Sequence, residues 1–364
     1  AVRRWLHEAL LVGHRLVAGA WVWDATPERG VAGAAMLGRC EGATLDGERD
    51  AAIVRSDAAT LTIPHRVDPD DLVALELVRR LAAGDGAPIV AAPLAAARWI
   101  GPGGLRLPAM LLAALPGTAR PAIARLRPLV ARALHDVPEA LEASLVEAQA
   151  LGTVARELHA ALGRPVAEGL GSAAIPATRR DVEAWALEAA DALAALERGL
   201  RPVADAARPH LAALRAHLPA IVAAAGRDPG LVHRIHGAFD LEAVRLLDDG
   251  APRITGFGRA PTIGSPSPWH DVAALLVSLT RLAGDAAGEA GGTPTLLARA
   301  WAWEREARRA ALDGYGPAGG AAHALVALFE IPLVAQRLLA AQRDAPTRLA
   351  PFVHALDRLA HAAV

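Results

Sequence analysis

The stretch HGAFDLEAVRLL, residues 236–247, decides how this sequence is interpreted. It lies in residues 230–258, a strand-like interruption between segments with helical periodicity. A histidine and a glycine open the stretch, and two acids, Asp240 and Glu242, follow before an apolar run. The question is whether this loop carries chemistry or is a chance string in a helix-rich chain.

The chain is predicted to be mainly helical after Pro116-Gly117. Thr178 and Asp181 have the spacing of a capping box, with Asp in place of the usual Glu, at the start of one helix. The pattern predicts helices at 120–135, 137–162, 178–199, 205–225, 268–283, 295–314, 318–343 and 346–362.

The part of the chain before residue 118 reads differently. Residues 1–42 contain a β-rich piece, and residues 43–117 read as two strands, a helix and further strands. Apolar residues at 72, 75, 78 and 81 give that helix one buried face. A small mixed lobe followed by a large helical lobe at 118–364 predicts an α+β, bilobal layout of the protein kinase-like kind.

The composition narrows the classes of function. The 364 residues include 53% hydrophobic residues, which suits two or three packed units and excludes disorder as the main state. A net charge of −1 gives no excess of positive charge that would attract nucleic acid or an anionic membrane. The single cysteine, Cys40, excludes a disulfide framework, and no apolar run reaches about 18 residues, so no membrane span is expected. We expect a cytoplasmic protein.

Several ordered segments resemble the maltokinase family, kinases of the aminoglycoside-phosphotransferase fold that are often linked or fused to trehalose synthase. The opening stretch has the frame of a kinase catalytic loop, H-G-D-x-H-x-x-Q/N, and is similar to the family's HGDYHLGQV. The resemblance spans most of the chain, in the segments RRWL (3–6), ATLTIPHRVDPDDLVALELVRRL (59–81), LGTVARELHAAL (151–162), HGAFDLEAV (236–244), ITGFGRAP (254–261), SPWHDVAALLVSL (267–279), WEREARRAALDGY (303–315) and Phe329-Glu330. It implies a kinase-like fold with an N-terminal cap at 1–42, an N-lobe at 43–117 and a helical C-lobe at 118–364.

The resemblance also implies that the chemical positions are lost. Phosphoryl transfer needs a cation on the phosphates, acids that hold Mg²⁺ and a carboxylate that positions the attacking hydroxyl. The family's strand lysine falls on Thr62, its catalytic aspartate on Ala238, and its metal ligands on Ala243 and Gly256. The chain contains no lysine at all, but a substitution of Lys by Arg would have kept the charge at position 62.

The frame around these positions is retained. The helix carboxylate that orients the family's lysine corresponds to Glu76, and His236 and Gly237 keep the turn of the loop. Asp271 matches a family aspartate that ties the following helix to the catalytic loop. A pseudokinase keeps the residues that pack the kinase fold and loses the residues that carry out phosphoryl transfer. This sequence shows that pattern.

The sequence therefore predicts a maltokinase-like pseudokinase without ordinary ATP:maltose phosphotransferase activity, needing no cofactor. The resemblance suggests a scaffold or regulator whose partner is a trehalose synthase or another α-glucan enzyme. The alternative is an active or repurposed phosphotransferase that uses ATP and Mg²⁺, with Asp240, Glu242 and Asp271 as its candidate acids. A third reading is a sugar-binding module. In the family, the charged and aromatic segment after the counterpart of Phe329-Glu330 faces the maltose, whereas here that segment is nearly all apolar or neutral, so maltose binding does not follow from the resemblance. Pro332 is expected to disturb or restart the helix there.

Overall fold

The computed structural model describes residues 15–18, 21–27, 44–47, 51–55, 60–64, 77–78, 81–82, 89–91, 93–100, 106–113, 115, 118–164, 173–257, 265–317 and 319–362. The chain folds into two compact units. The first unit comprises residues 1–120 and 244–259, and the second comprises residues 121–243 and 260–364. The boundaries at 42/43 and 117/118 stay predictions.

The first unit contains a seven-stranded sheet in which all neighbouring strands are antiparallel. The spatial order is β1-β2-β6-β7-β5-β4-β3. Its strands are β1 (Arg15–Ala18), β2 (Trp21–Pro27), β3 (Thr44–Gly47), β4 (Ala51–Arg55), β5 (Thr60–Pro64), β6 (Pro93–Ile100) and β7 (Arg106–Ala113). The strands of the region predicted to be a cap, β1 and β2, thus belong to the same sheet as the strands that follow.

The helix predicted between β5 and β6 is described only in part. Residues 77–78 and 81–82 are helical, and Leu77, Val78 and Leu81 are buried. Burial of Val78 and Leu81 agrees with the predicted apolar face. Glu76 lies outside the described residues.

A short hairpin follows the opening stretch, where the sequence predicted a strand-like interruption. The short strands β8 (Arg120–Pro121), β9 (Ile175–Pro176) and β10 (Leu231–Val232) precede β11 (Val244–Leu246) and β12 (Pro252–Ile254). Strands β11 and β12 pair antiparallel. The hairpin joins the rest of the first unit through its backbone, because Ile254 N donates to Ile89 O at 2.7 Å and Ala91 N donates to Ile254 O at 3.3 Å.

The described part of the second unit contains eight α-helices at the predicted places, with ends within six residues of those predicted. Thr178 and Asp181 form the predicted capping box. The helices are α1 (Ala122–Ala133), α2 (Pro138–Leu162), α3 (Arg179–Gly199), α4 (Arg208–Ala225), α5 (Pro268–Glu289), α6 (Pro294–Tyr315), α7 (Gly320–Asp344) and α8 (Ala350–Ala362).

Helices α2 and α6 pack unusually closely through two glycines. A Cβ placed on Gly152 would lie 1.9 Å from the carbonyl oxygen of Ala311, and one on Gly314 would lie 2.0 Å from that of Gln149. Only glycine fits at such backbone contacts. This approach fixes the position of α2, which carries a histidine of the site described below.

Helix α7 is long and apolar enough to cross a membrane by length and composition. Most of that stretch is buried inside the protein, against α3, α4 and α5, and the core helix of a soluble protein passes the same test. The sequence predicted that Pro332 would disturb or restart this helix. That prediction was wrong, because α7 is continuous through Pro332.

Candidate functional site

The loop at residues 236–243, called here the His236 loop, begins with a turn that needs its glycine. Gly237 has a φ of 84°, in the left-handed region that favours glycine. His236 is fully buried, and its Nδ1 accepts a hydrogen bond from the Ala238 backbone N at 3.2 Å. Its ring meets the buried ring of Phe239 edge to face. These contacts hold the first residues of the loop in a turn.

Asp271, in the first turn of α5, holds the start of this loop. Its carboxylate is fully buried and accepts hydrogen bonds from His236 N at 2.7 Å and from Gly237 N at 2.8 Å. The ring of His159 contacts the same carboxylate, with Nε2 3.1 Å from Oδ2. Burial by itself would raise the pKa of Asp271, but the hydrogen bond from His159 and the nearby imidazoles outweigh burial and lower it. Asp271 therefore stays ionised as an acceptor for the loop backbone.

A histidine that the sequence reasoning did not single out completes this arrangement. His159 of α2 places Nδ1 3.0 Å from the hydroxyl of Tyr315 and Nε2 on Asp271. Burial, with a smaller contribution from the charge of Asp271, raises the pKa of Tyr315, so its hydroxyl stays protonated. One sequence signal could have identified His159, because it lies among Ala155, Leu158 and Leu162 on the buried face of α2.

The rest of the loop carries the positions where chemistry was expected to be lost. Ala238 is exposed and Ala243 is buried. The Asp240 carboxylate folds back on its own turn, since Oδ1 accepts from Glu242 N at 2.9 Å and from Ala243 N at 3.0 Å. Glu242 is exposed. Of the two acids proposed as displaced groups, Asp240 thus has a structural role in the turn.

The remaining candidate positions lie in the first unit. Gly256 has a φ of 70°, with open space around the position of a Cβ. Thr62 lies in the middle of β5, where its backbone is in register with Ile53 of β4 and Leu111 of β7. Position 62, where the resemblance places the family's lysine, is therefore on an internal strand of the sheet.

A cavity of about 140 Å³ opens beside the His236 loop, wholly within the second unit. We call it the loop cavity. Its lining includes Ala238 and Asp240 of the loop, His270 and Arg281 of α5, Arg337 of α7 and Phe352 of α8. Sequence reasoning missed both arginines, although Arg281 is the only cationic residue of α5.

The described residues contain no group of three or more His, Cys, Asp and Glu side chains that could hold a metal ion.

A buried ionic cluster joins α6, α7 and α8. Arg308 donates to both carboxylate oxygens of Glu330, at 2.6 and 3.0 Å, and Arg358 does so at 3.1 and 3.2 Å. Glu304 lies 3.6 Å from Arg308 and 3.5 Å from Arg358. Burial would raise the pKa of Glu304, but His354 and the two arginines lower it to about 2. The late segments that resemble the maltokinase family therefore supply scaffolding here.

Comparison with solved structures identifies the fold. A glucosamine kinase (crystal form A) matches with a TM-score of 0.64 and 20% identity, over 97% of this chain and 79% of that chain. The structure of glucosamine kinase in complex with glucosamine, ADP and inorganic phosphate matches with a TM-score of 0.63 and 19% identity, over 98% and 81%. An aminoglycoside phosphotransferase from Streptomyces rimosus is more distant, with a TM-score of 0.39 and 18% identity over 80% and 93%.

No protein-family model matches this chain, and no curated protein sequence matches it. The matches to the glucosamine kinase structures, at TM-scores of 0.64 and 0.63, show the α+β, bilobal, kinase-like fold that the sequence predicted.

Proposed function

We propose that this protein is a pseudokinase of the maltokinase type, which does not transfer phosphate from ATP to maltose. The observation that carries the proposal is the use of acids around the His236 loop. Both carboxylate oxygens of Asp271 accept hydrogen bonds from the loop backbone, and one of them also contacts His159. One oxygen of Asp240 accepts hydrogen bonds from the backbone of its own turn. The exposed position in the His236 loop where the resemblance expects the base holds Ala238.

The expected loss of rate is large. Removal of a general base typically lowers a rate by about 10²–10⁴-fold. A bound metal ion is the main neutraliser of charge in the transition state of phosphoryl transfer, and its expected ligand positions here are Ala243 and Gly256. These effects do not add independently, but each acts in the same direction.

The resemblance to the maltokinase family supports a role as a scaffold or regulator in trehalose or α-glucan metabolism. A trehalose synthase or another α-glucan enzyme is the proposed partner, in the cytoplasm. The balanced net charge of −1 favours neither nucleic acid nor an anionic membrane as partner. Co-purification of this protein with a tagged trehalose synthase tests the partner, and failure to co-purify at micromolar concentrations of both proteins contradicts it.

The test of inactivity is a product assay. The protein is incubated with ATP, Mg²⁺ and saturating maltose, and in parallel with glucosamine, the sugar bound in the structural neighbour. The proposal expects no phosphorylated sugar above a control without protein. Formation of maltose 1-phosphate or a glucosamine phosphate in proportion to the protein added would overturn it.

One observation favours the alternative of an active or repurposed phosphotransferase. Asp240 lines the loop cavity, and Oδ2 of its carboxylate has no hydrogen bond to any described residue. A displaced base at Asp240 would make any observed transfer sensitive to Asp240→Ala. Transfer that survives this substitution would exclude Asp240 as the base.

A further inference from the structure

The loop cavity has an imbalance of charge that the loss of phosphotransfer does not explain. Two arginines, Arg281 and Arg337, line it together with a single carboxylate, that of Asp240. One oxygen of that carboxylate is already held by the backbone of the His236 loop. The lining therefore carries more positive than negative charge.

Neither arginine has an anionic partner within the described structure. Arg281 is half-buried, and its Nε is shielded from solvent without a hydrogen bond. Arg337 is exposed, and no described residue forms an ion pair with it. By contrast, Arg308 and Arg358 of the same unit are paired with Glu330. A partly desolvated guanidinium without an acceptor costs free energy that a bound anion would offset.

His270 adds an unused polar group to the same wall. Its Nδ1 is buried and has no hydrogen-bond partner. Burial lowers the pKa of His270, against the opposing charge of Asp271, so the ring is neutral near pH 7. A neutral imidazole can donate or accept one hydrogen bond. The lining also includes the apolar side chains of Leu333 and Phe352.

We propose that the loop cavity binds the oxyanion group, phosphate or carboxylate, of a small organic ligand. The planar fork of arginine matches both groups. A volume of about 140 Å³ is small beside ligand pockets of roughly 300–1,000 Å³. The cavity therefore accepts a compact anionic group, and the apolar side chains of Leu333 and Phe352 contact the body of the ligand.

This inference rests on the proposed function through Ala238. A carboxylate at this position, as a phosphotransferase would carry, would lie in the lining and repel an anion. Loss of the catalytic acid thus converts a wall of the cavity from acidic to neutral. The segment of α7 that the resemblance assigns to sugar contacts contributes Leu333 and Arg337, which changes the chemistry of that wall to apolar and cationic.

The test is calorimetric titration of the full chain, without ATP and with EDTA present. The probes are glucose 1-phosphate, glucuronate and neutral glucose. We expect one of the two anions to bind with a Kd below about 1 mM and glucose to bind at least about ten-fold more weakly. Preference for glucose 1-phosphate identifies a phosphate site, and preference for glucuronate identifies a carboxylate site. Equal binding of all three probes, or no binding of either anion at this level, overturns the inference.

Variants show whether binding occurs at this cavity. Arg337→Glu and Ala238→Asp each place a negative charge at an exposed position of the lining and should weaken anion binding by at least about ten-fold. The matched control is Arg305→Glu, an exposed helix arginine that lines a different cavity. An equal loss in the control, or unchanged binding in Arg337→Glu and Ala238→Asp, overturns the assignment.

The outcomes of this test and of the product assay are separable. Absence of anion binding leaves the absence of phosphotransfer intact, because no nucleotide is used in the titration. Phosphotransfer activity would overturn the proposed function, whereas anion binding by the purified chain is measured independently of it.

Discussion

Substitution of Asp271 by alanine should destabilise the second unit and release the His236 loop. The carboxylate is fully buried and accepts hydrogen bonds from two backbone N–H groups, of His236 and Gly237, besides its contact with His159. Alanine leaves all three groups without an acceptor in the interior. The sequence change is small, but it removes the group that connects the first turn of α5 to the loop.

The magnitude follows from these contacts. Each buried donor left without a partner costs about 1–3 kcal/mol. The variant no longer buries a charge, which offsets part of the loss, so the net effect is about 3–5 kcal/mol, as for other broken buried ionic contacts. A unit of this size loses about 2–4 °C of melting temperature per kcal/mol. We therefore expect a fall of about 6–20 °C.

The assay combines thermal unfolding with hydrogen exchange. Exchange at the backbone amides of His236 and Gly237 should accelerate more than exchange in α2. The matched control is Asp191→Ala, an exposed helix acid, which should change stability by no more than about 0.5 kcal/mol. A loss below about 1 kcal/mol in Asp271→Ala, with unchanged exchange at both amides, would refute the reasoning that this carboxylate holds the loop.

Three further predictions concern the packing behind the site. Since Glu304 has a pKa of about 2 when folded and 4.5 ordinarily, the stability it contributes is complete above about pH 4.5 and should be lost as the pH falls towards 2 in thermal melts. In chemical denaturation, the free energy of unfolding of Gly152→Ala should fall by about 1–3 kcal/mol, because the added methyl group meets the carbonyl of Ala311. That of Gly288→Ala should rise by about 0.5–1 kcal/mol, because open space surrounds Gly288 in its helix. Glu330→Gln should cost about 3–5 kcal/mol in the same measurement, because a neutral amide removes the charge paired with buried Arg308 and half-buried Arg358 and leaves them only the more distant Glu304.

Each of these predictions has a contradicting result. A melting temperature that stays constant from pH 5 to pH 2.5 would show that Glu304 contributes no net stability through its charge. Equal effects of the two glycine substitutions would mean that α2 and α6 are further apart than described. An unchanged free energy of unfolding in Glu330→Gln would mean that Arg308 finds other acceptors.

Much of the fold could be predicted from the sequence because local signals agreed with the packing. The capping box at Thr178 and the helical periodicity predicted the helices of the second unit with ends within six residues of those observed. Pro332 was misjudged because its effect depends on context. The continuous α7 is held by packing against α3, α4 and α5, which outweighs the local preference for a break.

The candidate site could be predicted only in part. The resemblance singled out His236, Gly237 and Asp271 because they lie within continuous segments. The contact of His159 with Asp271, and the meeting of Arg281 with Arg337, join residues far apart in the sequence. The local sequence pattern does not specify such contacts, because they arise from the packing of helices against one another.

The most direct test of the central claim is calorimetric titration of the purified protein with ATP in the presence of Mg²⁺, with thermal unfolding measured on the same samples. The claim is that the kinase-like frame persists here without the groups that bind and use a nucleotide. It predicts no heat of binding and no thermal stabilisation at millimolar ATP. Binding at micromolar Kd, roughly −8 kcal/mol, would contradict it and favour the repurposed phosphotransferase.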